Sequence, residues 1–445
     1  MRSWMISLLL LLVRLGMVLS KENLAASADL PDAQTTEHEY VLGENDAAEN
    51  PLDIGSMTEE DGYDSPRHRQ EKAHLMKRME RARGTYNTVH PRYRLLEALY
   101  ALSVYRERSI EELDRWRTLY KSVGKQQKKT LEKVVKYTQK LDDIEALIST
   151  NSAVCESISA HAMLFYNIDQ KELDEHIKLA TDTGRRGDKM SVSQTLKHYI
   201  RDWADEGAKE REEAFPCILT TLKTLQAENA SATPLKVLFP GSGLGRLGHE
   251  VASLPGFEVT INEWSMYMNI GYRYLTSLGP KSPLTIHPFI DSMSHHATTS
   301  DMLRSVSAPN TALNPSVLLV EGDFNTAFAD KAGHFDILVT HFFIDTARNL
   351  MAYFDAIHRL LRPGGRWLNF GPLLYGTGPF VQLSLDEIVA VVEAMGFVFE
   401  DTGEICGEVT FEGGKVRSKQ AEYGFNGRAL TRNAYLAQMW VVRKV

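Results

Sequence analysis

The chain has 445 residues, of which 43% are hydrophobic, and a formal net charge of −8 at pH 7. This length allows one large domain or two ordinary ones, each with its own core, and it excludes a small disulfide-stapled protein. Residues 21–64 are strongly acidic; the rest of the chain is nearly balanced in charge and gives no global electrostatic reason to expect nucleic acid as the main partner.

The three cysteines are Cys155, Cys217 and Cys406, which lie far apart and without a Cys-x-x-Cys spacing. Such spacing indicates neither a disulfide framework nor a zinc site. Cysteine is among the residues most often buried, so we expect three buried free thiols and no metal.

Residues 1–20 contain two short apolar runs that Arg14 separates. The segment resembles a secretory signal or an anchor, but the run is too short to span a bilayer unless Arg14 lies inside it. Residues 21–66 lack apolar periodicity and are poor in aromatic residues, which predicts an acidic disordered tail. We expect a cytoplasmic protein, with the nucleus also open. The alternative is the secretory pathway, and contact with a membrane requires that residues 1–20 are retained.

Residues 67–190 are predicted to form a helical extension. Leu95, Leu96, Leu99 and Leu102 recur at helical spacing and favour a packing surface. A second region, residues 191–445, follows. Its first helix is expected to begin near Ser191, because Ser191-Val-Ser-Gln194 has the form of a capping box.

Alternating strands and helices follow from Lys236–Phe239, which reads as a short buried strand. Such alternation predicts an α/β fold of Rossmann-like type, with a mostly parallel sheet covered by helices on both faces.

A glycine-rich turn, Pro240-Gly-Ser-Gly-Leu-Gly-Arg246, comes directly after this strand. Gly241 and Gly243 allow a sharp turn and a close approach of backbone to ligand. Glu263 ends the next predicted strand, where a carboxylate can accept both ribose hydroxyls of an adenosine ligand. The dinucleotide fingerprint would place its third glycine where Arg246 stands, so the pattern favours a methyltransferase over a nicotinamide or flavin oxidoreductase.

Six motifs occur in order along the chain. They are Arg201-Asp-Trp203 with Glu210-Arg211, Pro240–Arg246, Asn262-Glu-Trp264, Gly322-Asp-Phe324, Phe342-Phe-Ile-Asp-Thr-Ala347 with Asn349, and Gly371-Pro-Leu-Leu-Tyr375. Together they resemble the carnosine N-methyltransferase family, over about His90 to Val445. The resemblance implies a class I methyltransferase fold with an N-terminal helical extension and S-adenosylmethionine as cofactor. It also implies methylation of the imidazole of carnosine, giving anserine, or of a related small histidine peptide.

The resemblance also implies which residues hold the cofactor. They are His198, Arg201, Gly241, Gly243, Glu263, Asp323, Phe324 and His341. A physical argument supports Arg201, because a guanidinium can donate two hydrogen bonds to the methionine carboxylate. The alternative is a surface ion pair with Asp205. The acid Asp323, after the third strand, suits the adenine amino group. His198 stands where the family commonly has glutamine, and His341 where a small or sulfur-containing side chain is usual.

Asp345 is the candidate catalytic and substrate-binding residue, since it follows the fourth strand of the alternating pattern. Its carboxylate can hydrogen-bond one imidazole nitrogen and leave the other free to attack a methyl group. The alternative is a helix cap for residues 347–361. Tyr435 matches a substrate-contacting tyrosine of the family, or else is a core residue. The family has a histidine after Tyr375, whereas this chain has Gly376, which leaves the identity of the substrate open.

Other functions stay open at this point. A methyltransferase for protein histidine or another small amine, and a non-catalytic scaffold that binds the cofactor, are the alternatives. The expected partner is a small histidine-containing peptide, no nucleic acid is expected, and a homodimer is left open.

Overall fold

The computed structural model describes residues 65–278, 282–376 and 378–445. The predicted signal segment, and the acidic tail except for its last two residues, lie outside the described residues. Within the described ranges, the helices are all too short or too polar to cross a membrane.

Six helices form the N-terminal part of the described chain. They are α1 Pro66–Met79, α2 Pro91–Ser103, α3 Tyr105–Tyr120, α4 Lys125–Val135, α5 Tyr137–Tyr166 and α6 Gln170–Asp182. The leucine spacing predicted from sequence is confirmed in α2, where Leu95, Leu96, Leu99 and Leu102 are all buried. These leucines belong to a hydrophobic cluster that also includes Val237 and Ile261 of the sheet, so the extension shares a core with the sheet.

Helix α7, Lys189–Trp203, begins earlier than the sequence pattern predicted. Its N-cap is Asp188, whose carboxylate accepts the backbone N–H of Ser191 at 3.2 Å. The prediction that Ser191 itself caps the helix was wrong, because Asp188 takes the N-cap position and the Ser191 hydroxyl donates to its carboxylate at 2.6 Å. Helix α8, Ala208–Ala227, follows after one turn of 3-10 helix.

A mixed sheet of nine strands forms the centre of the described part of the chain. Strands β1 Leu235–Pro240, β2 Phe257–Glu263, β5 Leu318–Glu321, β6 Phe335–His341 and β7 Leu361–Gly371 pair in parallel, in the order β5-β2-β1-β6-β7. Strand β11, Ala434–Lys444, lies antiparallel against β7. The prediction of a Rossmann-like, mostly parallel sheet is therefore confirmed.

The remaining elements complete the two faces and the far edge of the sheet. They are α9 Arg246–Ala252, α10 Met266–Ser277, β3 Leu284–Ile286, α11 Thr299–Leu303, β4 Val306–Ala308, α12 Phe324–Ala327, α13 Leu350–Leu360, α14 Leu385–Ala394, β8 Phe397–Glu400, β9 Glu408–Val409 and β10 Arg417–Glu422. β3 and β4 form a separate antiparallel pair, whereas β8 and β10 both flank β11.

A buried polar network ties the extension to the end of β5. The Glu321 carboxylate accepts two hydrogen bonds from the Arg273 guanidinium of α10, at 2.8 and 2.9 Å. The hydroxyl of Tyr166, the last residue of α5, donates to the other carboxylate oxygen at 2.7 Å. A buried carboxylate is costly unless it is paired, so these hydrogen bonds fix the positions of α5 and α10 relative to the end of β5.

Two of the three cysteines do not match the expectation from sequence. Cys217 of α8 and Cys406, in a short turn before β9, form a disulfide across 189 residues of sequence. The prediction of free thiols was wrong for this pair, because the fold brings α8 against the far edge of the sheet and sequence spacing carries no such information. Cys155 of α5 is a buried free thiol, as predicted.

Candidate active site

The glycine-rich turn lies at the carboxyl end of β1. Gly241 and Gly243 have φ values of +62° and +58°, in the left-handed region that favours glycine. A Cβ atom at Gly241 would lie 2.2 Å from the Phe343 ring. At Gly243 the nearest atom to such a Cβ would be His198 Nδ1, at 3.6 Å. The first glycine is therefore required by space and conformation, and the second by conformation.

Glu263 lies at the carboxyl end of β2, beside this turn. Its buried carboxylate accepts the backbone N–H groups of Gly243 at 2.9 Å, and of Trp264 and Ser265 at 2.7 Å each. Burial raises the pKa of Glu263, whereas these three hydrogen bonds and the charge of Arg94 oppose that rise. Three donors occupy three of roughly four acceptor positions on a carboxylate, which leaves about one position for a ribose hydroxyl.

Arg201, near the end of α7, lies at the opposite side of the glycine turn. Its guanidinium carbon lies 4.2 Å from the centre of the Tyr423 ring, and its Nε lies 3.9 Å from Glu210. Asp205 instead accepts a hydrogen bond from Asn310. The alternative of a surface ion pair between Arg201 and Asp205 was wrong, because the arginine side chain turns inward.

His198 and His341 line the same cleft as Arg201. Among the described residues, His198 Nδ1 and His341 Nε2 are buried without a hydrogen-bond partner. Burial, with the nearby charge of Arg201, lowers the pKa of His198 to about 3 and that of His341 well below its usual value. Both imidazoles are therefore neutral at physiological pH. Buried polar atoms of this kind are normally satisfied, so their placement fits a site for a polar ligand.

Asp323 and Phe324 follow β5, beside Glu263. The Asp323 carboxylate accepts the backbone N–H of Asn325 at 2.9 Å and so caps α12, while Gly322 donates its N–H to the Glu263 carbonyl at 2.9 Å. Phe324 is buried edge-on against Phe343, with ring centres 5.6 Å apart. The structure thus brings Asp323 close to Glu263, where β5 and β2 end side by side; the roles of Asp323 and Phe324 as cofactor contacts stay predictions.

Asp345 lies in a 3-10 turn just after β6 and is 1% exposed. Its carboxylate accepts the backbone N–H of Leu374, from the loop after β7, at 3.0 Å. Helix α13 begins later, at Leu350, and its cap is Asn349, which accepts the N–H of Ala352. The capping alternative for Asp345 was therefore wrong. Its carboxylate instead joins two loops at the carboxyl edge of the sheet.

Aromatic side chains form the wall between Arg201 and the far strands. Tyr435 of β11 lies edge-on to Phe342, with ring centres 6.2 Å apart. Tyr423, which sequence reasoning missed, stacks on Phe342 at 5.1 Å and on Arg201. No local pattern marks Tyr423, because its contacts arise only when the segment after β10 folds back over α7. The Tyr375 hydroxyl donates to the carbonyl of Leu383 at 2.7 Å, which fixes the backbone just before Gly376.

This set of groups fits S-adenosylmethionine. A cation for a carboxylate, an acid for ribose hydroxyls and a glycine turn without side chains lie along one sheet edge, near the switch point between β1 and β6. The sheet order, with β11 antiparallel beside β7, and this site define a class I S-adenosylmethionine-dependent methyltransferase.

Comparison with known proteins gives the family. A family model described as carnosine N-methyltransferase matches residues 180–445. A carnosine N-methyltransferase of Schizosaccharomyces pombe is 32% identical over 290 residues, covering 59% of this chain and 74% of that protein. The Mus musculus enzyme of that name is 29% identical over 346 residues, covering 75% and 82%. The chain belongs to the carnosine N-methyltransferase family.

Proposed function

We propose that this chain transfers the methyl group of S-adenosylmethionine to an imidazole nitrogen of carnosine or a related small histidine peptide. The observation that carries this function is the position of Asp345, a buried carboxylate held at the carboxyl edge of the sheet by the loop after β7. Membership of the carnosine N-methyltransferase family supports the same reaction.

Each group of the cleft has a role in this proposal. Bound S-adenosylmethionine supplies an electrophilic methyl group. Arg201 binds the methionine carboxylate, and Glu263 accepts a ribose hydroxyl. His198 and His341 offer polar atoms without positive charge, which avoids repulsion of a cationic sulfonium.

Asp345 acts on the substrate. Its carboxylate accepts the N–H of one imidazole nitrogen, which fixes the tautomer and leaves the lone pair of the other nitrogen available for attack. After transfer, the imidazolium loses that proton to the Asp345 carboxylate or through it to solvent. Tyr423 and Tyr435 supply the aromatic wall beside this position.

One departure from the family bears on the identity of the substrate. Gly376 stands where the family has a substrate-contacting histidine, so this chain lacks that polar contact. A small histidine peptide other than carnosine, or a protein histidine, is therefore the second candidate. We further propose the cytoplasm as location, residues 191–445 as the methyltransferase domain that follows the helical extension, and a homodimer as a state to test by sedimentation.

Mass spectrometry tests the proposal. Purified protein, S-adenosylmethionine and carnosine should give a product heavier by one methyl group on the imidazole. A panel of other histidine peptides and a histidine-containing protein separates the candidates. Binding of S-adenosylhomocysteine without product from any of these substrates would instead show a non-catalytic scaffold.

Glu263→Gln should weaken the affinity for S-adenosylhomocysteine by about 1–3 kcal/mol, because an amide replaces the charged acceptor of the ribose hydroxyl. Isothermal titration calorimetry measures the change. The matched control is Glu258→Gln at the start of β2, where the side chain pairs with Arg67 away from the cleft. Equal affinity in the parent and in a folded Glu263→Gln protein would contradict the ribose assignment.

His198→Gln, which restores the usual family residue, should reduce acid sensitivity. The unfolded chain takes up a proton at His198 near the ordinary pKa of 6.5, whereas the folded protein does so only near 3. Stability is therefore lost as pH falls below about 6.5, by on the order of 1–2 kcal/mol at about pH 5. Urea unfolding of the cofactor-free protein across this range should show a shallower decline in the variant. The control is His74→Gln, because His74 is exposed. If the free energy of unfolding falls equally steeply with decreasing pH in His198→Gln and in the parent, the expectation is refuted.

A further inference from the structure

Arg94, in helix α2 of the N-terminal extension, reaches the residue that follows Glu263. Its guanidinium carbon lies 3.7 Å from the centre of the Trp264 ring, and the guanidinium donates a hydrogen bond to the Trp264 carbonyl. Trp264 directly follows Glu263 and donates its own N–H to the Glu263 carboxylate. One arginine of the extension therefore holds the peptide segment that carries the predicted ribose acceptor.

The acidic groups near Arg94 indicate that its charge has a role beyond packing. Burial lowers the pKa of Arg94 to about 10, against the opposing influence of Glu263, Asp323 and Glu321. Arg94 is partly buried, and an apolar side chain could cover the Trp264 ring without the cost of desolvating a cation. Glu321 already has its own partners in Arg273 and Tyr166. The charge of Arg94 is thus available to Glu263 and Asp323, the two acids at the adenosine end of the cleft.

We propose that Arg94 is a positioning residue for the adenosine half of the cofactor, through which the helical extension completes the binding site. It fixes the Glu263–Trp264 turn and offsets the negative charge of Glu263 and Asp323, which favours both carboxylates as hydrogen-bond acceptors when a ligand removes water from them. This role rests on the cofactor assigned in the proposed function.

Calorimetry with two ligands tests this role. S-adenosylhomocysteine contains the adenosine and the amino-acid halves, whereas 5′-methylthioadenosine lacks the amino-acid half. Arg94→Gln keeps a donor of similar length but removes the charge, and it should weaken both ligands by the same factor, about tenfold to a hundredfold. Arg94→Lys keeps the charge without the planar guanidinium and should weaken both ligands less than Arg94→Gln does.

The control is Arg92→Ala. Arg92 lies on the same helix, two residues away, and pairs with Glu172 on the outside of the extension. Its loss should leave both affinities at the parent value, although it removes the ion pair between α2 and Glu172. A purely structural effect of the extension would instead lower the affinities in Arg92→Ala as well, and that result would overturn the proposal.

Two further outcomes are decisive. Parent affinity for both ligands in a folded Arg94→Gln protein would overturn the proposal. If Arg94→Gln does not fold, Trp264→Leu removes the ring under the guanidinium at a half-exposed position, and it should weaken both ligands about threefold to tenfold; unchanged affinities would overturn the proposal. Failure of the proposed function is distinguishable, because the parent itself would then bind neither ligand or bind them without making product.

Discussion

Asp345→Asn is expected to lower turnover by about 10²–10⁴-fold and to leave the affinity for S-adenosylhomocysteine near that of the parent. Asparagine keeps the size of the side chain and an oxygen that can accept the Leu374 N–H, so the link between the loops after β6 and β7 survives. The variant removes the negative charge that, in the proposed reaction, orients the imidazole and takes its proton. Binding and chemistry should therefore separate at this residue.

The comparison is best made at saturating peptide, because Gly376 replaces a substrate-contacting histidine of the family and substrate affinity is expected to be weak. Methyl transfer can be followed by mass spectrometry of the peptide. Asp355→Asn is the matched control, since Asp355 is an exposed acid on α13 outside the cleft. Parent-like turnover in Asp345→Asn would show that the carboxylate serves only to join the two loops, and another group would have to orient the imidazole.

Sequence alone was informative where a functional residue belongs to a short segment with its own physical signature. Gly241, Gly243 and Glu263 fall in a strand–turn–helix–strand unit, and the backbone hydrogen bond from Gly243 to Glu263 joins its two ends. The parallel order of the strands follows from the same alternation, because each helix must return the chain to the same edge of the sheet.

Local signals were ambiguous where several polar residues compete for the same helix end. Ser191 and Asp188 both precede the apolar stripe of α7, and the acid caps the helix. Asp345 and Asn349 both precede α13, and Asn349 caps it. The second case matters for function. Because Asn349 caps α13, the Asp345 carboxylate instead accepts the Leu374 N–H at the carboxyl edge of the sheet.

Contacts between distant segments could not be predicted in this way. The Cys217–Cys406 disulfide, the stacking of Tyr423 on Arg201 and the approach of Arg94 to Trp264 each join parts of the chain that are over 150 residues apart. Their existence depends on how α2, α8 and the segment after β10 pack against the sheet. Periodicity and motif spacing describe one element at a time and so do not contain this information.

Arg201→Ala is expected to weaken S-adenosylhomocysteine binding by about 2–5 kcal/mol, roughly 30-fold to several-thousand-fold, because it leaves the amino-acid carboxylate in the cleft without its cation. The guanidinium is held in place by the Tyr423 ring at 4.2 Å and the Phe342 ring at 5.4 Å, with Glu210 beside it. Little rotamer freedom is lost when such a group binds its ligand, which favours a strong interaction. Arg201→Lys keeps the charge but not the planar fork, so an intermediate loss is expected.

The affinity for 5′-methylthioadenosine decides whether Arg201 acts on the amino-acid half of the cofactor. This ligand has no carboxylate, so Arg201→Ala should bind it as the parent does, in contrast to Arg94→Gln, which should weaken both ligands equally. Circular dichroism of the variant checks that α7 remains folded. An equal loss for both ligands in Arg201→Ala would show that the arginine acts by supporting the shape of the cleft through Tyr423 and Phe342, and the carboxylate would need another partner.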